Sequence, residues 1–243
     1  MLLRASLAGA IGFVLIAFGA AAQESAPPAQ GSPPPPANQV EMIKQTFAAS
    51  MAALRQYEWV ETVALSIEGE EKSRQQSRCY YGAEGKLQKT PIGAPPKEEK
   101  KRGLRGKKAE SKKAELQASL KGAMGLIQQY VPPDAAKIEA AKAAGNVSIS
   151  MPAADGSIRV TVKSYLKPGD EVAIDVDGVN NRLKGLSIAS FVEEEKSKNP
   201  VTATVAYAAF PDGTTYPAKE ELQIASQKMK VNIENTGYKK LAP

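Results

Sequence analysis

The stretch Tyr57–Tyr81, YEWVETVALSIEGEEKSRQQSRCYY, constrains the fold more than any other part of this chain. In its first half Tyr57, Trp59, Val63, Leu65 and Ile67 occupy odd positions, interrupted by Glu61, while Glu58, Thr62, Ser66 and Glu68 take even ones. A repeat of two sends these sets to opposite faces of a strand, so one face is committed to a core or a cavity. A Glu-Gly turn then predicts a hairpin. Its second strand carries Arg74, Gln75, Gln76 and Arg78, as a strand near a sheet edge does. Gly82–Gly85 turns the chain into a third short strand over Leu87–Ile92.

What precedes this hairpin reads as an export signal and a tether. Basic Met1–Arg4, apolar Leu7–Phe18 and the small residues Ala20-Ala21-Ala22 form the three parts of a secretory signal peptide, with cleavage expected after residue 22. An uncleaved anchor is the competing reading, but the run is short and rich in Gly and Ala. Residues 23–37, QESAPPAQGSPPPPA, bury too little to offset their ordering entropy and predict a disordered linker. Asn38 and Glu41 then make a capping box for a helix with Phe47, Met51 and Leu54 on one stripe, ending near Arg55.

After the third strand the composition changes. Lys97–Lys113 holds nine Lys or Arg against three Glu, a surplus equal to the net +6 of the whole chain. Gly103 and Gly106 predict a flexible basic loop here, leading into a helix from about Ser111 to Tyr130 that Pro132-Pro133 stops. Asp134 caps a second, Ala-rich helix ending at Gly145, so residues 97–145 read as a basic loop and helical hairpin inserted between two groups of strands. From Asn146 onward alternation returns, in Ile158-Val160-Val162, Val172-Ile174-Val176, Val201-Ala203-Val205-Tyr207 and Met229-Val231-Ile233. A charged loop is expected at Glu193–Asn199 and a turn at Pro211-Asp212-Gly213. Strands so spaced, each with a polar opposite face, predict an antiparallel meander.

Several chemistries are excluded or weak. The chain has no histidine, which removes the commonest general base and zinc ligand. Cys79 stands alone, so no internal disulfide forms and no base is at hand to activate the thiol. Asp175, Asp177 and the Glu193–Glu195 run read as solvated turn and loop carboxylates, without calcium-loop spacing. No metal site and no cofactor are expected. Glu61 stands apart, because a carboxylate on an apolar face needs a cationic partner or a polar cavity end. Arg74 and Arg78 are the candidates on the paired strand; edge exposure is the alternative.

Three features together resemble the LolA/LolB-like lipoprotein-carrier superfamily. They are the N-terminal helix running into YEWVETVALSIEGEE, the helical insertion after the first strands, and the paired-strand ending NPVTATVAYAAFPDGTTYPAKEELQIASQKMKVNIENTGYKKL. The basic insertion departs from that pattern. The resemblance implies an exported, non-enzymatic envelope protein whose sheet shelters an acyl chain or lipid. The fold expected over 38–243 is one α+β domain, a curved antiparallel half-barrel with helices packed on its concave face. Candidates for an apolar lining are Tyr57, Trp59, Val63, Leu65, Val205 and Tyr207. An envelope adaptor is the rival reading, docking an anionic membrane or polysaccharide through Lys100, Lys101, Arg102, Arg105, Lys107 and Lys108. Nucleic acid is not expected as a partner, and a periplasmic monomer is.

Overall fold

The computed structural model describes residues 36–93, 104–150, 153–180, 182–194 and 197–241. The proposed signal peptide, most of the linker, and Lys100, Lys101 and Arg102 lie outside them. Helix α1 spans Pro36–Leu54, and strands β1 (Tyr57–Ile67), β2 (Glu70–Tyr81) and β3 (Leu87–Ile92) follow. Helices α2 (Leu104–Ile127) and α3 (Ala135–Ala143) separate these from β4 (Val147–Ile149), β5 (Ser157–Lys163), β6 (Glu171–Asp177), β7 (Arg182–Glu194), β8 (Ser197–Ala209), β9 (Thr215–Ile224) and β10 (Met229–Lys240). All ten strands form one open antiparallel sheet in the order β3-β2-β1-β10-β9-β8-β7-β6-β5-β4. With three α-helices among the described residues, this is the curved α+β architecture expected.

Local chemistry sets the hairpins. Glu68 (φ 56°) and Gly69 (φ 85°) both take the left-handed conformation, the two-residue loop whose twist matches the strands it joins. Beyond a bulge at Leu65–Ser66 the first two strands pair with Glu61 opposite Ser77 and Trp59 opposite Cys79. The last strand returns across the whole chain to lie beside the first, with Val63 opposite Ile233 and Leu65 opposite Val231.

One face of the sheet is apolar and carries the helices. Val160 and Val162 on β5, Val172 and Ile174 on β6, Leu186 and Ile188 on β7, Val201 and Ala203 on β8, and Val231 and Ile233 on β10 are buried there. Against them pack Phe47 of α1, Leu120, Ala123 and Ile127 of α2, and Ile138 and Ala141 of α3. Asp134 caps α3 as expected, accepting from the Ala136 amide at 2.8 Å.

Three expectations change. The helix expected from Ser111 begins at Leu104, so the backbone of Arg105, Lys107 and Lys108 is helical rather than looped. A glycine within a helix costs only about 1 kcal/mol, and the surrounding Leu, Lys, Ala and Glu favour the helix. The two inserted helices do not pair lengthwise as a hairpin. Helix α2 lies on β7, and α3 on β4, β5 and α1, because each spends its apolar stripe on the sheet side. The charged segment Glu193–Asn199 is largely strand, with Glu193 opposite Lys198, since opposite charges across a ladder support pairing.

Candidate functional site

The helix-covered face is dry along most of its length, but a polar seam cuts into it across the neighbouring strands β3, β2, β1, β10 and β9. Glu61 is 6% exposed and lies on that face, as the alternation required. Its partner is Lys89 on β3, whose Nζ donates to both carboxylate oxygens at 2.7 Å. Neither arginine proposed from the sequence reaches it. Arg74 pairs with Glu71 and Arg78 approaches Glu58, because the observed register turns both arginines to the opposite face. Burial raises the Glu61 pKa, and the Lys89 ammonium opposes the shift.

A second carboxylate stands close by. Glu220 shares the inward face of β9 with Leu222 and Ile224, and lies opposite Ile233 and Val205. It is half-buried as a whole, yet its Oε2 is shut off from solvent and has no hydrogen-bond partner. Its Oε1 has one long contact, 3.4 Å from the Asn235 amide nitrogen. Burial, reinforced by negative Glu61 and opposed by Lys89 and the Asn235 amide, pushes its pKa up to about 7. Glu220 interrupts its strand just as Glu61 does, at the parity of Leu222 and Ile224, and that interruption was the signal by which the sequence could have revealed it. Asn235 likewise follows Val231 and Ile233 at their parity, whereas Lys89 offered no such signal.

The backbone explains why polar groups collect here. The β9–β10 ladder ends at Lys219–Glu234, beyond which β9 follows β8 and β10 follows β1. In the split, the Asn235 amide and the Tyr238 hydroxyl each donate to the Pro217 carbonyl at 3.2 Å, replacing ladder bonds. The Trp59 indole donates to Asn235 Oδ1 at 3.1 Å. Aromatic rings fill the rest. Tyr57 stacks on Phe210 at 4.2 Å, Tyr216 lies 4.3 Å from both Phe210 and Tyr238, and Trp59 stacks on Tyr238 at 5.6 Å. A cavity of about 560 Å³ opens at this split, lined by Phe210, Tyr216, Ala218, Asn235, Gly237 and Tyr238 among others.

The six lining candidates thus divide. Tyr57 and Trp59 join the aromatic cluster at the split. Val205 is buried in the core, and Val63, Leu65 and Tyr207 pack half-buried at its border. The side chain of Tyr207 meets Phe47 of α1 edge-on at 6.0 Å. Cys79 is fully buried beside the seam, where burial pushes its thiol up to about 12 and leaves it inert at neutral pH. Among the described residues, no group of three or more carboxylates, cysteines or histidines is placed to hold a metal ion.

Glu220 sets a pH dependence of stability. Below pH 4.5 the carboxyl is neutral in both folded and unfolded chains. Between 4.5 and about 7 the unfolded chain ionises while the folded one keeps its proton, so stability falls as pH rises and then levels off. The loss should be on the order of 3 kcal/mol. Glu61, also raised, acts with the same sign. Urea unfolding at pH 5.5 and 8 should show the decline, and Glu220→Gln should flatten much of it; an equal slope in that variant would remove Glu220 as its source.

No protein-family model and no curated protein matches the chain. Among solved structures, a LolA superfamily protein, NE2245 from Nitrosomonas europaea, is similar over 83% of this chain and 94% of its own, at 6% identity and a TM-score of 0.37. A DUF1329 family protein from Desulfovibrio piger ATCC 29098 is similar over 85% of this chain and 93% of its own, at 6% identity and a TM-score of 0.38. The likeness to the LolA superfamily is loose, one of outline.

Proposed function

We propose that the protein is a non-enzymatic periplasmic carrier or binding protein for a lipid, a lipoprotein acyl chain or another apolar ligand. The observation that carries this reading is the incomplete cover of the apolar face. Where helices sit, the sheet is sealed, but Val63, Leu65 and Ile67 of β1 and Leu116 and Met124 of α2 stay half-buried at its border. Such a rim takes up a flexible apolar chain without unpacking the core. Each methylene withdrawn from water contributes about 0.8 kcal/mol, enough for reversible binding of a medium-length chain. Export to the periplasm rests on the basic start, the apolar run and the Ala20-Ala21-Ala22 site.

Titrating the exported chain with a fatty acid or a phospholipid should shift Trp59 emission saturably, since Trp59 adjoins the rim on β1 and is the only tryptophan. Calorimetric titration of a Leu65→Trp variant should show binding at least tenfold weaker with stability little changed, because this side chain borders the core rather than filling it. If no apolar ligand perturbs Trp59 and Leu65→Trp is strongly destabilised, the face is a closed core and the proposal fails.

A further inference from the structure

Among the described residues the seam contains two inward carboxylates, Glu61 and Glu220, and one inward ammonium, Lys89, which engages both Glu61 oxygens at 2.7 Å. Glu220 Oε2 is closed off from water and no donor faces it. The groups packed around this carboxyl from the neighbouring strands are Val205 and Tyr207 on β8, and Ile233 and Asn235 on β10. The further charged or titratable groups that act on it or feel its charge are Glu61, Lys89, Tyr81 and Tyr238. Apart from Lys89 this wall is carboxylate, aromatic ring and amide. Anionic oxygen beside aromatic faces is the environment that selects an ammonium group, by direct ion pairing and by attraction to the ring faces. An anionic headgroup at this carboxyl would meet Glu61 and Glu220, while Lys89 is already paired with Glu61 and Lys219, at the mouth of the cavity, with Glu234 at 3.5 Å.

We propose that Glu220, with Asn235 and the rings of Tyr207 and Tyr238, forms the headgroup site for an amine- or quaternary-ammonium-bearing amphiphile. It deepens the apolar-ligand reading and rests on it for the chain, whose tail would lie along Val63 and Leu65 while the head enters at the β9–β10 split. The cavity at that split shares Asn235 and Tyr238 with this site, carries the Lys219–Glu234 pair on its lining, and would be the entry. The chain as a whole carries net charge +6, which disfavours cations at long range, so a preference for a cationic head would be the work of this site.

The test uses four ligands of known structure at pH 8, below their micellar concentrations, with Trp59 emission as the readout. Three share one tail (decyltrimethylammonium, decanoate and decanol), and the fourth, butyltrimethylammonium, has almost none. Decyltrimethylammonium should bind at least tenfold more tightly than decanoate, and Glu220→Gln should abolish that preference while decanol binding stays as it was. Butyltrimethylammonium should bind weakly and competitively with decyltrimethylammonium in the native chain and not in Glu220→Gln. If the three decyl ligands bind equally and Glu220→Gln changes nothing, the headgroup site is refuted and the apolar reading survives. If no decyl ligand binds but butyltrimethylammonium does so through Glu220, the apolar reading fails and the site stands. If neither ammonium ligand binds, the proton is the only cation that Glu220 takes and the proposal is wrong.

Discussion

Lys89→Met is expected to destabilise the fold by about 3–5 kcal/mol at pH 8, because it strands the Glu61 carboxylate inside the sheet without its cation. The two side chains are only 12% and 7% exposed, so solvent screens the pair little. The defect should shrink as pH falls, because burial raises the Glu61 pKa and the protonated carboxyl no longer needs an ammonium. Pairing the change with Glu61→Leu should recover most of the loss, since matched apolar residues replace a buried ion pair at little cost. Urea unfolding of the three variants at pH 8 and at lower pH checks this. A loss under about 1 kcal/mol for Lys89→Met would mean the pair behaves as a surface one.

The second large effect is expected at Asp170, which is 2% exposed between β5 and β6. Its Oδ2 accepts from the Tyr130 hydroxyl at 2.6 Å and from the Leu166 and Lys167 amides at 3.0 and 3.1 Å. The Tyr130 hydroxyl also lies 2.7 Å from Ser190 Oγ on β7, so this network pins the chain leaving α2 to the sheet. Asp170→Ala leaves the buried Tyr130 hydroxyl and two part-buried amides short of their acceptor and should cost about 3–5 kcal/mol. Tyr130→Phe removes one of these bonds and should cost about 1–3 kcal/mol. Amide exchange in the last turns of α2 should accelerate in both variants, more than in β8 or β9. Equal acceleration throughout would show that Asp170 supports the whole fold rather than this attachment.

These two networks differ in how they could be foreseen. Glu61 announces itself by breaking a run of apolar odd positions, and the need for a cation follows from electrostatics alone. Which cation answers depends on register. With Glu61 opposite Ser77, Arg74 and Arg78 fall on even positions and face away. Lys89 reaches inward because it lies opposite Cys79, one strand further on. A slip of one residue would exchange the two faces. Tyr130 and Asp170 leave no trace in local periodicity, since each sits in a connection and they meet across 40 residues.

By itself the sequence read the Glu193–Asn199 hairpin as a loop, but it determined most of the strands and the apolar face of each, the first hairpin turn, and that the fold is an antiparallel sheet with helices on one side. These follow from short-range rules, the repeat of two and the conformations that turns demand. The tertiary structure alone decided that β10 closes against β1, that β9 and β10 part beyond Lys219 and Glu234, and that Glu220 is left facing the gap without a donor. Pairing of strands so far apart in the chain is settled by packing of whole faces. Glu220 and Glu61 meet because the inward faces of β1, β10 and β9 align, and that alignment is a property of the assembled sheet rather than of any one strand.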